Sequence, residues 1–244
     1  MSGHSKWSTI KRQKGVNDAK RGQHFTKLSL AITLSVKQGG NVTNPDDNPR
    51  LRLAIDSARA ANMPKDNIER AIARAVGAQA KEMSEVTYEG FGPGGFSVIV
   101  EAITDNKQRT TPEIKSVFDK NGGSLGVVGS VSYQFEQKGL LTLTKNGVSL
   151  DDIFLLAADH GAEDIEEIEE DVLIFTAVDD LSRVRQALET SGMNITGIEL
   201  TRRPIVSKVI TDPALTEKVL SFLDRLEGHD DVQKVFANYD IPEA

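Results

Sequence analysis

The chain has 244 residues, 39% hydrophobic and 27% charged, a balance typical of soluble globular proteins. No apolar run approaches the roughly 18 residues of a membrane span, and Met1–Ser8 lacks the apolar stretch of a secretory signal. There is no cysteine, which excludes disulfides, thiolate metal sites and a cysteine nucleophile and fits a reducing compartment, read here as the bacterial cytoplasm.

The net charge of −7 conceals two parts of opposite sign. Residues 1–82 carry 15 Lys and Arg against 7 Asp and Glu, a net of +8. The remaining 162 residues carry 14 against 29, a net of −15. A basic segment attracts phosphate polymers, and an acidic remainder restricts how much of the chain can lie against them.

In chain order, residues 1–16 read as a basic arm with little apolar content. Asn17 and Asp18 offer an N-cap. Phe25, Leu28, Ile32 and Val36 then recur at helical spacing until Gly39 and Gly40 stop the pattern. A second helix buries Leu51, Ala54, Ile55 and Ala58. A third opens at Pro64, buries Ile68, Ala71, Ile72 and Ala75, and ends at Gly77. These three helices predict a small bundle.

The pattern changes near Ser84. Val86–Tyr88 and Phe96–Ile103 read as strands joined by a glycine cluster, and Pro112–Lys120 as a short helix. Val131–Glu136 and Leu140–Thr144 predict a hairpin turning at Gly139. A helix over 151–160, strands over 164–169 and 172–177, a helix over 181–191 and a strand over 195–201 follow. The chain closes with a strand over 206–210, a helix over 213–226 and a strand over 232–237. Hairpin links among the strands predict an α+β fold: an N-terminal three-helix bundle followed by two α/β-plait-like domains with antiparallel sheets. The flanks 84–130 and 205–244 each hold too few strands to stand alone. The expected domains are therefore 1–83, a discontinuous 84–130 plus 205–244, and an inserted 131–204. A two-module split near residue 145 is the alternative.

The first 30 residues carry Lys6, Lys11, Arg12, Lys14, Lys20, Arg21 and Lys27 against the single acid Asp18. Phosphate binding by counterion release needs density of cations more than fixed spacing. Trp7 within this cluster can stack on an unpaired base or anchor the arm. Lys107 and Arg109, in the loop before the Pro112 helix, can hold a phosphate together with helix-terminal amides. Arg52, Arg59, Arg70 and Arg74 share helical faces, but Asp56 and Glu69 are close enough to pair with some of them. The ten-residue stretch from Gly39 to Asn48 does not resemble the tight turn of a helix-turn-helix. The glycine runs Gly90–Gly95 and Gly123–Gly129 are followed by strands and carry no Lys-Ser/Thr, so they read as turn and bulge devices rather than nucleotide cradles. The four histidines have no metal-ligand spacing.

The opening Gly3-His4-Ser5-Lys6-Trp7-Ser8-Thr9-Ile10-Lys11, then Asp18-Ala19-Lys20-Arg21-Gly22 and Phe25-Thr26-Lys27-Leu28, resemble the signature of the YebC/PmpR family. So do Met63-Pro64-Lys65-Asp66-Asn67-Ile68, Tyr88-Glu89-Gly90-Phe91-Gly92-Pro93-Gly94-Gly95, and Lys120-Asn121-Gly122-Gly123-Ser124-Leu125-Gly126 running into Gly129-Ser130-Val131. The likeness covers residues 3 to about 135 in order and extends by pattern through the C-terminal third. It implies one helical and two α+β domains. It also implies a DNA-binding transcriptional regulator, or a translation factor acting on ribosomal RNA and the ribosome at difficult sequences such as proline runs, as described for other members and for mitochondrial relatives.

Together these observations predict a non-enzymatic regulator without cofactor, metal or small-molecule substrate. Its partner is nucleic acid, DNA or ribosomal RNA, contacted by the basic third through Lys6, Trp7, Lys11, Arg12, Lys14, Lys20, Arg21 and Lys27, with Lys107 and Arg109. A protein–protein adaptor whose basic arm meets an acidic partner is the competing expectation.

Overall fold

The computed structural model describes residues 18–77, 82–145, 147–168 and 171–242, with the side chains of residues 18–21 left aside. The protein is a mixed α+β chain with N-terminal helices and largely antiparallel sheets. Among the described residues no helix is long and apolar enough to cross a membrane. Contacts divide the described residues into two compact units, one drawn from within 1–34, 77–136 and 204–244 and the other from within 35–76 and 137–203.

Three helices come first: α1 (Asp18–Gln38), α2 (Pro49–Ala60) and α3 (Lys65–Val76). On α1, Ile32 and Val36 are fully buried, as their spacing requires. Proline occupies the first turn of α2, and Asn48 caps it, its Oδ1 accepting the Leu51 N–H at 3.1 Å. The Asn48 amide also donates to the carbonyls of Ser35 and Val42, at 3.0 and 3.1 Å. One side chain thereby fixes the connection between two helices, and a Cβ on Gly39 would collide with it.

In the first unit, β1 (Ser84–Phe91), β2 (Ser97–Thr104), β3 (Ser124–Leu125) and β9 (Val232–Ala237) form a sheet in the order β3-β1-β2-β9. Both pairings of β2 are antiparallel. The helices α4 (Lys107–Lys120) and α7 (Pro213–Glu227) contribute Ile114, Phe118, Val219, Phe222, Leu223 and Leu226 to the core under this sheet. Phe118 and Phe222 meet edge to face at 5.0 Å, an arrangement the ring quadrupoles favour. The opposite sheet face carries Ile99, Val131 and Phe135, so β2 is buried on both sides. A short parallel pair, β8 (Lys208–Val209) with β10 (Tyr239–Asp240), completes the unit.

In the second unit the sheet order is β5-β6-β4-β7, from β4 (Phe135–Thr144), β5 (Ala162–Ile168), β6 (Asp171–Thr176) and β7 (Ile195–Pro204). The helices α5 (Leu150–Asp159) and α6 (Leu181–Thr190) bury Ile153, Ala157, Leu181, Val184 and Leu188 against it. Leu53 of α2 packs on the same cluster.

Two sequence expectations are corrected here. No hairpin turns at Gly139: a 3-10 turn at Ser132–Gln134 leads into the single strand β4, and Gly139 pairs with Thr176 inside it. A Cβ at Gly139 would lie 2.9 Å from Leu181 Cβ, so glycine there admits close packing of α6 rather than a turn. In addition α4 begins at Lys107, with Asn106 as cap and Pro112 inside the helix, not at its first turn.

Candidate nucleic-acid interface

Lys6, Trp7, Lys11, Arg12 and Lys14 lie outside the described residues. Lys20 and Arg21 belong to the first turn of α1, and their side chains are likewise outside the description.

Lys27 is half-buried, and its Nζ donates to the Glu227 carbonyl at 2.7 Å. That carbonyl belongs to the last turn of α7, where unpaired carbonyls and the helix dipole favour a cation. Burial pulls the Lys27 pKa down, and the nearby charges of Glu227 and Asp230 only partly offset it.

Arg109 reaches the same stretch of chain. Its guanidinium contacts Asp231 at 2.9 Å and Asp105 at 3.3 Å. Asp231 also accepts from Thr110 Oγ at 2.5 Å. Burial raises the Asp231 pKa, but the bonds from Thr110 and Arg109 outweigh it and hold the carboxyl below its ordinary value. The Asn106 side chain accepts the Arg109 N–H at 3.2 Å. Its own chain thus supplies partners at this helix start. Of the sequence-selected cations, Lys27 and Arg109 converge on residues 227–231; Lys107 is exposed at the start of α4.

The outward faces of α2 and α3 carry Arg50, Arg52, Arg59, Lys65, Arg70 and Arg74, all exposed. Arg52 contacts Asp46 at 3.0 Å and Lys65 contacts Glu69 at 3.5 Å. Arg59 lies 3.9 Å from Asp56, which Arg185 also contacts. The Arg52–Asp46 and Lys65–Glu69 pairs are solvent-exposed, and exposed pairs contribute little energy. Arg50 and Lys65 were not singled out from spacing; they join the group because they too are exposed cations of α2 and α3. At the second unit's edge, Arg203 pairs with Asp164 and Glu166 and lies over the Phe175 ring at 4.7 Å, which gives the acidic run of β5 a structural partner. Among the described residues no cluster of His, Asp or Glu has the arrangement of a metal site.

Residues 5–78 match the model of the TACO1/YebC protein N-terminal domain, and residues 83–239 that of the TACO1/YebC second and third domain. A Dictyoglomus thermophilum protein called a probable transcriptional regulatory protein is 48% identical over 100% of this chain and 97% of its own length. Similarly named proteins of Sulfurihydrogenibium and Geobacter sulfurreducens are each 47% identical, over 100% and 99% of this chain and 97% and 96% of their own lengths. The crystal structure of a conserved hypothetical protein from Aquifex aeolicus superposes with a TM-score of 0.85 at 43% identity, covering 93% of each chain. Two family models that together span nearly the whole sequence, and full-length relatives near half identity, make this chain a member of the TACO1/YebC family.

Proposed function

We propose that the protein is a cytoplasmic, non-enzymatic, nucleic-acid-binding regulator of transcription. The observation that carries this reading is the division of charge, +8 over residues 1–82 against −15 over the rest. Charge concentrated in this way fits a phosphate polymer better than a general solubility role. The exposed arginines of α2 and α3 support it, as do the relatives' names. In this scheme Lys6, Lys11, Arg12, Lys14, Lys20, Arg21 and Lys107 meet phosphates, and Trp7 stacks on a base or anchors the arm. Lys27 and Arg109 act at one remove by holding the 227–231 segment.

A second reading, an RNA target in translation, is favoured by one feature. Trp7, the one tryptophan of the sequence, stands among the seven cations of the first 30 residues, and an aromatic ring among cations suits the faces of unpaired bases better than a stacked duplex. Crosslinking in cells, followed by sequencing of the bound nucleic acid, tests both. Promoter DNA or nascent transcripts are expected. Recovery of ribosomal RNA alone would replace the transcriptional reading with the translational one, and recovery of no nucleic acid would defeat both.

A further inference from the structure

The first unit displays an uncharged apolar surface that the basic helices do not explain. Val127 and Val128 are 77% and 82% exposed, Tyr133 71%, and Ile205 and Val206 57% and 67%. Large apolar side chains exposed together mark contact surfaces more often than chance. Here they are also held in place. Glu89, buried on β1, accepts the N–H groups of Gly129, Val131 and Ser132 at 2.8 to 2.9 Å, which pins the base of the 127–133 tip. The second segment is clasped to the first: Ile205 N–H donates to the Gln134 carbonyl at 2.8 Å. Asn238 bridges them, donating to Gln134 Oε1 at 2.9 Å and to the Val206 carbonyl at 3.1 Å.

The charges within these two segments narrow what they meet. Residues 121–135 contain no charged side chain, and residues 204–211 contain only Lys208, although carboxylates outnumber cations two to one after residue 82. Lys208 is exposed. A polyanion can therefore approach these two segments without meeting a carboxylate on them. Their own chemistry, one aromatic ring among β-branched side chains, suits the faces of bases rather than phosphates. Bases offer their faces where they are unstacked, which is the ordinary state of RNA loops and single strands and not of a duplex.

We propose that the Val127–Tyr133 tip, with Ile205 and Val206, packs on unpaired bases of single-stranded RNA, Tyr133 stacking on one base and Lys208 meeting the adjoining phosphate. The inference rests on the nucleic-acid reading above and adds a second contact, one that recognises base faces.

The test uses the full chain and fluorescence anisotropy with a labelled, unstructured 15-nucleotide RNA and a duplex DNA of equal length. Tyr133→Ala should weaken RNA binding roughly tenfold with the salt slope unchanged, since stacking releases few ions. Tyr133→Phe should retain the affinity, and duplex DNA binding should not respond to either change. Val127→Ser with Val128→Ser, conservative at an exposed tip, should also weaken RNA binding. Wild-type RNA affinity in Tyr133→Ala would overturn the proposal. So would variants that bind RNA normally but lose a concentration-dependent self-association seen by sedimentation, because the surface would then serve protein contact. A wild-type chain that binds neither probe defeats the underlying nucleic-acid reading, whereas salt-dependent binding indifferent to Tyr133 defeats this inference alone.

Discussion

The carboxylate of Glu89 accepts the backbone N–H of Val131 at 2.8 Å from a position on β1 that pairs with Ile99. The same side chain takes the N–H groups of Gly129 and Ser132, so the charge of this buried carboxylate is compensated by three backbone donors. Burial acts to raise its pKa, but the three backbone bonds and a further one from the Ser132 side chain outweigh burial and hold the carboxyl below its ordinary value. A carboxyl depressed by folding stabilises the protein above its unfolded pKa, and that contribution is lost as pH falls through the folded value. Glu89→Gln replaces one acceptor oxygen with a donor facing donors. It should cost about 2–3 kcal/mol at pH 7, read from denaturant or thermal melts, with the gap to wild type narrowing in acid below the ordinary carboxylate range. Amide hydrogen exchange at Gly129, Val131 and Ser132 should accelerate in the variant. Equal stability of the two proteins at pH 7 would show that the three bonds do not hold the tip.

The limits of the sequence are visible around this same tip. Helical stripes announced α1, α2 and α3, because periodic apolar residues state which face is buried, and Ile32, Val36, Ile68 and Ala71 are buried. Asn48 and its neighbours carried readable cap chemistry. Gly139 did not: a glycine between two β-like runs reads equally as a turn or as a place where something packs close, and only Leu181, 42 residues away, decides between them. The start of α4 was obscured in the same way. Pro112 signals a first turn locally, while Asp231, distant in sequence, helps secure the turn that precedes it through Thr110 and Arg109. Candidate cations were readable as density. Their long-range partners were not, since Glu227, which Lys27 meets, and Asp231, which Arg109 meets, lie more than 100 residues away.

The glycine loops separate into two mechanisms. Gly94 has φ +85, and an added Cβ would also sit 2.9 Å from Leu215 Cδ2. Gly126 has no positive φ, but its Cβ would lie 2.5 Å from Ser130 Oγ. Gly94→Ala should therefore lose about 1–2 kcal/mol from backbone strain. Gly126→Ala should lose less, because the Ser130 side chain can swing away, and a second change, Ser130→Ala, should recover most of the loss. Melting curves of the three variants decide the matter. A Gly126→Ala defect that Ser130→Ala fails to relieve would mean that the backbone, not the hydroxyl, sets the limit.

Arg109 and Asp231 should behave as a structural pair. Asp231→Asn removes the charge that faces the guanidinium and weakens the clasp between the start of α4 and the segment after α7. Because the folded Asp231 pKa is held down, the pair's contribution should be present at neutral pH and fade in acid as pH falls through that depressed value. Arg109→Ala should lower the melting temperature and leave the salt dependence of nucleic-acid binding unchanged. A flatter salt dependence in Arg109→Ala would instead assign the guanidinium to a phosphate.

The basic arm is expected to do the opposite. If Lys6, Lys11, Arg12 and Lys14 each neutralise one phosphate, each adds about 0.7–0.9 to the slope of log affinity against log salt. Changing all four to alanine should flatten that slope by roughly 3 units and weaken binding at low salt. Stability should hardly move, since the segment has too little apolar content to supply core. Lys27→Ala is the internal control: its ammonium is engaged with the Glu227 carbonyl, so its loss should leave the slope unchanged and act on stability alone. Titrations of one labelled nucleic acid at four or more salt concentrations measure every arm of this comparison. A quadruple variant with the wild-type slope would remove the arm from the interface and transfer the phosphate contacts to Arg50, Arg52, Arg59, Lys65, Arg70 and Arg74 on α2 and α3. Their combined replacement should then produce the missing change.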